Sequence, residues 1–305
     1  MHEIADRLLA AAAAGHPIAV ATAISVEGSA PRTVGTSMAY DGIAVIGSIA
    51  GGCVEGAVVD ACEEVLADGR PRTVEYGVDD ETAFSVGLTC GGQLRIHVQL
   101  LDDRLLGALR ESQPLEVCRD YTEPAPVQRR MIIVGAMEFS AALSAAARML
   151  GYAVTVCDPR PLFATPERFP GASVVVQWPT EYLRSVDLDN NTAVCVLSHD
   201  WRFDSEVLAM ALSSGAGYVG AMGSRRTHER RVASLKELGV GGEAIARLHS
   251  PIGLDVGAST PEETAVSILA EVLAVRTGAS TRSLASTQGP IHSGTSLSVA
   301  PRAEV

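Results

Sequence analysis

Aromatic residues make up only 4% of this 305-residue chain, while 47% of it is apolar. Ala and Val therefore carry much of the core, which suits close packing of helices on a sheet. Positive charge is also short: the formal net charge is −12. That balance argues against nucleic acid, whose phosphates need a basic face, and against broad attraction to an anionic membrane. It leaves room for a small anionic ligand held by a few local arginines. No apolar run reaches the roughly 18–20 residues a membrane span requires. The six cysteines, Cys53, Cys62, Cys90, Cys118, Cys157 and Cys195, are scattered without a C-x-x-C pair, so neither a disulfide scaffold nor a structural zinc site is expected. The opening "MHEIADRLLAAAAAGHP" has Glu3 and Asp6 where an export signal would be basic, and Ile4, Leu8 and Leu9 form a helical stripe. These absences point to a cytoplasmic protein with reduced thiols, long enough for two domains.

What is present falls into two rhythms. Up to residue 110 the pattern mixes helix, strand and hairpin, with Asp41-Gly42 as a turn between short apolar runs. Residues 111–129 carry three prolines and several charges and read as a linker. From 130 to 278 strands and helices alternate. Strands are expected at 131–134, 153–157, 173–177, 192–198 and 217–221, and helices near 139–150, 204–213 and 224–238. Such alternation predicts a parallel sheet with crossover helices. Thr260, Pro261 and Glu263 have the pattern of a capping box opening the last helix. The tail 279–305, rich in Ser, Thr, Ala and Gly, is expected to be disordered.

Two glycine-rich turns carry thiols. In "GSIAGGCVEGAV" Gly51 and Gly52 precede Cys53 at a helix start, where backbone N–H groups favour an anion or a thiolate. In "GLTCGGQ" Cys90 precedes Gly91 and Gly92. A lone thiol beside glycine is commonly just a small core residue; two such turns suggest thiols presented to one ligand. Cys62, Cys157 and Cys195 lie in apolar surroundings and read as core. Arg32, in the loop "GSAPRTVGTSM", could fix a phosphate or carboxylate. In "SHDWRFD", His199, Asp200 and Asp204 follow a strand end, where ligands of open sheets bind; Ser198 and Asp200 could equally cap the next helix. In "GAMGSRRTHERR", Gly223, Ser224 and Arg225 open a helix and form either an oxyanion site or an ordinary surface cap.

The stretch "MIIVGAMEFSAAL" has half of a dinucleotide fingerprint. Gly135 makes the turn and Asp158 stands where a ribose-binding acid is expected, but Met137 and Ser140 replace the other glycines. Met137 fills space a pyrophosphate needs and Glu138 adds like charge, so NAD(P) binding is not expected.

Together "GSAPRTVGTSM", "GSIAGGCVEGAV", "GLTCGGQL", "LSHDWRFD", "GAMGSRRTHERR" and "PIGLDVGASTPEETAVSILAE" resemble the XdhC/CoxI family, accessory proteins of xanthine and carbon monoxide dehydrogenases. The match is in the family's order and spans residues 17–276, apart from the linker. The resemblance implies an α/β architecture: an α+β XdhC-type N-terminal domain followed by a Rossmann-like parallel-sheet domain. It implies a chaperone that holds molybdenum cofactor (molybdopterin) and delivers it, sulfurated, to a molybdenum hydroxylase apoenzyme, rather than an enzyme turning over a substrate. On that reading Cys53 and Cys90 contact molybdenum or handle sulfur, and Arg32 with the glycine turns holds the pterin phosphate. A homodimer, with a cysteine desulfurase as a further partner, is expected. The chain departs from the family at "GAMEFS", where the usual glycine-rich turn is lost. The competing expectations are an NAD(P)-dependent oxidoreductase and a non-catalytic regulatory or interaction module.

Overall fold

The computed structural model describes residues 1–27, 32–52, 54–77 and 93–288. The chain divides into two units: Met1–Pro126 together with the chain from Ser283, and Val127–Arg282.

In the first unit a short 3-10 turn leads into helix α1 (Ala5–Ala12) and strands β1 (Ala19–Glu27), β2 (Ser37–Tyr40) and β3 (Val45–Gly47). Helix α2 (Glu55–Asp68), strands β4 (Arg72–Tyr76) and β5 (Gln93–Leu100) and helix α3 (Asp103–Arg110) follow. The sheet has the order β3-β2-β1-β5-β4 and every pairing is antiparallel. Its two faces are built by period-2 alternation. Ala19, Ala21 and Ala23 of β1 turn toward α2, whose Val58, Ala61, Cys62 and Val65 complete that core. Ile18 and Val20 turn the other way, onto Leu8 of α1 and Leu105 and Leu109 of α3. The β2–β3 hairpin forms where Asp41-Gly42 predicts it, and Asp41 Oδ1 accepts from the N–H groups of Ile43 (2.9 Å) and Ala44 (2.7 Å).

The stretch expected as a linker is ordered. Strands β6 (Leu115–Cys118) and β7 (Tyr121–Glu123) pair within it, and the unit boundary falls at Pro126. Its charges conceal a short alternation that buries Leu115, Val117 and Tyr121 beside α1 and α3. Glu123 also ties it back, accepting from the Met1 α-amino group (2.6 Å) and the His2 N–H (3.0 Å). In the tail, residues 279–288 are described and include a 3-10 turn, Leu284–Ser286, closed by hydroxyl-to-carbonyl bonds from Ser286 and Thr287. The remainder of the expected disordered tail lies outside the described residues.

The second unit runs β8 (Arg129–Val134), α4 (Glu138–Met149), β9 (Tyr152–Cys157), β10 (Ser173–Val175), α5 (Pro179–Arg184) and β11 (Thr192–Val196). It continues through α6 (Asp204–Leu212), β12 (Tyr218–Ala221), α7 (Arg225–Glu237), α8 (Gly242–Ala246), β13 (Leu248–His249) and α9 (Pro261–Thr277). All strands are parallel, in the order β10-β9-β8-β11-β12-β13. This is the doubly wound Rossmann arrangement, with order reversing between β8 and β11. Met131 and Ile133 meet Leu143 of α4 and Ile268 and Leu269 of α9 on one face. Ile132 and Val134 meet Val207 and Leu208 of α6 and Leu235 of α7 on the other. The predicted capping box is present: Thr260 Oγ1 accepts from the Glu263 N–H, and the Glu263 carboxylate accepts from the Thr260 N–H.

Gly135 closes β8 with φ +105°, and a Cβ there would stand 2.9 Å from the Ser198 nitrogen. The turn after β8 and the turn after β11 are thus in backbone contact. Gly135→Ala should lower stability by about 2 kcal/mol or more, from strain and overpacking together; denaturant unfolding of the full chain measures it.

Candidate functional site

In the first unit, strand direction decides where the sequence-predicted residues lie. β1 ends at Glu27, β3 at Gly47 and β4 at Tyr76, while β5 begins at Gln93. Antiparallel pairing puts Glu27 opposite Gln93, Tyr76 opposite Leu94 and Gly47 opposite Met38. The chain therefore leaves these strands, or enters β5, at one end of the sheet. A shallow pocket of about 180 Å³ opens there, among Glu27, Glu75, Tyr76, Gln93 and Arg95. Its wall carries both donors and acceptors, and Arg95 Nε contacts Glu75 Oε1 at 2.9 Å. Cys53, Cys90, Gly91 and Gly92 lie outside the described residues.

The loop before α2 is held from within. The Glu55 carboxylate accepts from the Ser48 hydroxyl (2.7 Å) and from the N–H groups of Ile49 (3.3 Å), Ala50 (3.0 Å), Gly51 (2.8 Å), Gly52 (2.7 Å) and Val54 (3.3 Å). Burial alone would raise its pKa, but these hydrogen bonds outweigh burial and hold the carboxyl down at about 2. Gly51 and Gly52 have φ of +78° and +116°, with open space where a Cβ would stand. Glycine is needed here for backbone angle, which turns successive N–H groups inward. The N–H groups that the sequence offers to an external anion are occupied by the protein's own carboxylate. Arg32, half exposed, is likewise engaged: its Nη2 lies 2.5 Å from Glu3 Oε2.

In the second unit the end of the sheet where β8, β9 and β11 terminate is closed by acid–arginine pairs. Asp158 is 1% exposed. Its Oδ2 accepts from the Ala136 N–H (2.8 Å), and both oxygens are held by the Arg160 guanidinium at 2.9 and 2.7 Å. Burial works against the charged form, yet the Arg160 and Ala136 hydrogen bonds keep the Asp158 carboxyl below its ordinary range. Glu138, exposed, pairs with Arg168 at 2.7 Å, and Asp200 pairs with Arg202 at 2.5 Å. The Ser198 hydroxyl donates to Asp204, whose other oxygen faces Arg231 at 3.7 Å. Burial is the largest influence on both partners of that last pair, pushing the Asp204 carboxyl up and the Arg231 guanidinium down.

His199 stands exposed beside this end of the sheet. The N-cap of α6 is Phe203, so neither Ser198 nor Asp200 caps it. Ser224 does cap α7, accepting from the Thr227 N–H at 3.2 Å, with Arg225 exposed next to it. Gly223 has a φ of +152°, and a Cβ there would stand 2.9 Å from Arg231 Nη1 and 3.1 Å from Thr227 Cβ. Cys62, Cys157 and Cys195 are buried, and burial pushes their thiols up to about 12. That is the inert behaviour expected of core cysteines. Sequence reasoning missed the arginines. Arg160 sits two residues after Asp158, a signal that was available; Arg231 is brought to Asp204 only by the packing of α7. Among the described residues there is no cluster of three or more metal-ligating side chains, and no helix long and apolar enough to cross a membrane.

Two family models match the chain: one described as "XdhC and CoxI family" over residues 11–77, the other as "XdhC Rossmann domain" over 131–272. The chain belongs to the XdhC/CoxI family. This XdhC/CoxI protein is 28% identical over 291 residues to the molybdenum cofactor insertion chaperone PaoD of Escherichia coli, covering 86% of the chain and 84% of PaoD. It is 27% identical over 265 residues to the uncharacterized protein YqeB of the same organism, covering 86% of the chain. It spans only 44% of the length of YqeB. A crystal structure titled as a xanthine dehydrogenase (BH1974) from Bacillus halodurans shares the fold, with a TM-score of 0.75 at 24% identity, covering 93% of this chain and 98% of that one.

Two substitutions probe the geometry. Gly52→Ala should cost about 1–3 kcal/mol through backbone strain alone, since no atom lies within 4 Å of the added Cβ. Arg231→Ala should cost about 3 kcal/mol by leaving the Asp204 carboxylate buried without its counter-charge. Thermal and denaturant unfolding of the purified chain give both values.

Proposed function

We propose that this protein is a molybdenum cofactor chaperone. It binds the molybdopterin form of the cofactor in its first unit and delivers it, sulfurated, to a molybdenum hydroxylase apoenzyme of the xanthine or carbon monoxide dehydrogenase type. The observation that carries this reading is the alignment with PaoD along 86% of this chain. The strand topology supports it, because the chain runs into both cysteine-bearing turns from the same end of the first sheet.

The residues present suit such a ligand in kind. Cys53 and Cys90 provide thiols for molybdenum or for its sulfur. Glu27, Glu75, Tyr76, Gln93 and Arg95 provide mixed donors and acceptors of the sort a pterin edge requires. Since Glu55 occupies the N–H groups of Gly51 and Gly52, the phosphate falls to the turn containing Gly91 and Gly92 and to Arg32, which exchanges its exposed Glu3 partner for the ligand. The bound cofactor supplies the redox-active molybdenum centre that the recipient enzyme uses. The second unit serves docking and assembly: His199, Asp200, Gly223, Ser224 and Arg225 are its candidate contacts with cofactor or recipient. A cytoplasmic homodimer working with a cysteine desulfurase completes the proposal.

The alternative, an NAD(P)-dependent oxidoreductase, has the strand order of the second unit in its favour. It would require Asp158 to exchange Arg160 and the Ala136 N–H for a ribose, and Met137 to vacate the phosphate position. A non-catalytic interaction module has no observation of its own.

Purification from a cofactor-producing host, followed by oxidation and pterin fluorescence, tests the chaperone reading. Wild type is expected to carry molybdopterin, and a Cys53→Ala/Cys90→Ala variant to carry about a tenth as much or less. Wild type without pterin overturns binding, and a double variant that carries as much overturns the thiol assignment.

A further inference from the structure

Six donors converge on one side chain in the first unit, and the arrangement has a direction. Glu55 Oε1 holds the incoming half of the loop, through the Ser48 hydroxyl and the N–H groups of Ile49, Ala50 and Gly51. Oε2 holds the N–H groups of Gly52 and Val54, the residues immediately before and after position 53. A carboxylate has about four lone-pair sites, so this one is saturated by its own loop. Nothing crowds Gly51 or Gly52. Their positive φ values serve the convergence itself, since consecutive inward N–H groups form an anion-binding concavity only with such angles.

A loop that merely needed to turn into a helix would be satisfied by a serine or aspartate at the N-cap. The N-cap here is Val54, without a side-chain cap, and the carboxylate reaches backward from the first helical residue. We propose that Glu55 is the positioning residue of the thiol-bearing loop: a tethered anion that fixes the backbone on both sides of position 53. The proposal rests on the reading of Cys53 as a cofactor-handling thiol for its functional consequence, and on hydrogen-bond geometry alone for its structural one.

Glu55→Gln keeps the shape of the side chain and replaces one acceptor oxygen with an NH2 group, which cannot accept. Glu55→Ala removes the anion and leaves a space that formate fits. Full-length wild type and both variants are compared by hydrogen exchange over residues 48–56, by iodoacetamide alkylation of Cys53 at one fixed pH with the half-buried Cys118 as internal reference, and by molybdopterin content. Both variants are expected to exchange the loop amides about tenfold faster or more, because charge-assisted bonds are lost while the core is retained. Alkylation of Cys53 should rise by about threefold or more as the backbone is released. Molybdopterin content should fall by about tenfold. Added sodium formate should restore protection, alkylation rate and cofactor content in Glu55→Ala but not in Glu55→Gln, whose amide still fills the space. Unchanged exchange and alkylation in both variants overturn the proposal, as does formate failing to rescue a folded Glu55→Ala. Lost protection with undiminished cofactor reduces Glu55 to a structural brace and also overturns it. Wild type without pterin overturns the chaperone reading instead, and exchange, alkylation and formate rescue then decide Glu55 by themselves.

Discussion

A backbone N–H left without a carbonyl partner where the chain turns needs another acceptor, and at several such points this protein supplies one of its own carboxylates. Glu55 gathers the loop before α2, Asp158 takes the Ala136 N–H at the end of β8, and Glu263 closes the N-terminus of α9. Asp41 closes the β2–β3 turn, Glu3 takes the Ser37 N–H and Glu271 the Gly253 N–H. The net charge of −12 is therefore more than a solvated acidic surface. Several of those charges act as internal caps at the points where strand passes to helix or strand to strand.

This use of charge shapes both candidate regions. In the second unit, the carboxylate that this fold usually presents free to a dinucleotide is already engaged. Asp158 is shared between the backbone and Arg160, and the neighbouring acids Glu138, Asp200 and Asp204 each face an arginine. In the first unit the glycine turn is also self-satisfied, but the residue it flanks is a thiol, whose chemistry does not depend on free N–H groups. An electrostatically closed scaffold beside thiol-bearing turns is compatible with the proposed role of holding a cofactor and passing it on.

The longer elements of the second unit were legible from periodicity, whereas the short α5, α8 and β13 carry too few residues to show a period and were not expected. Expected strands at 131–134 and 153–157 appear as Arg129–Val134 and Tyr152–Cys157, and the Thr260 capping box forms as its spacing predicts. Short, charged strands were not legible: β6 and β7 hide in a Pro-rich stretch because three or four residues cannot establish a period. The glycines at 51 and 52 are legible as a turn at a helix start whose N–H groups suit an anion, but the anion that fills them is the protein's own Glu55. Glu55 was visible in the first turn of the helix, yet the six bonds it accepts depend on loop angles that no residue pattern states.

Local order, then, was determined by the sequence: helix starts, hairpin turns and alternating faces follow from neighbouring residues and are set within a few positions. The identity of the candidate thiols was set there too, together with the family they belong to. Only the tertiary structure decided which carboxylate meets which N–H or guanidinium, as in Arg231 reaching Asp204 across 27 positions or Glu123 reaching Met1 across 122. Those pairings depend on how strands are ordered and helices packed, and a charge is available to a ligand only when packing has left it without a partner.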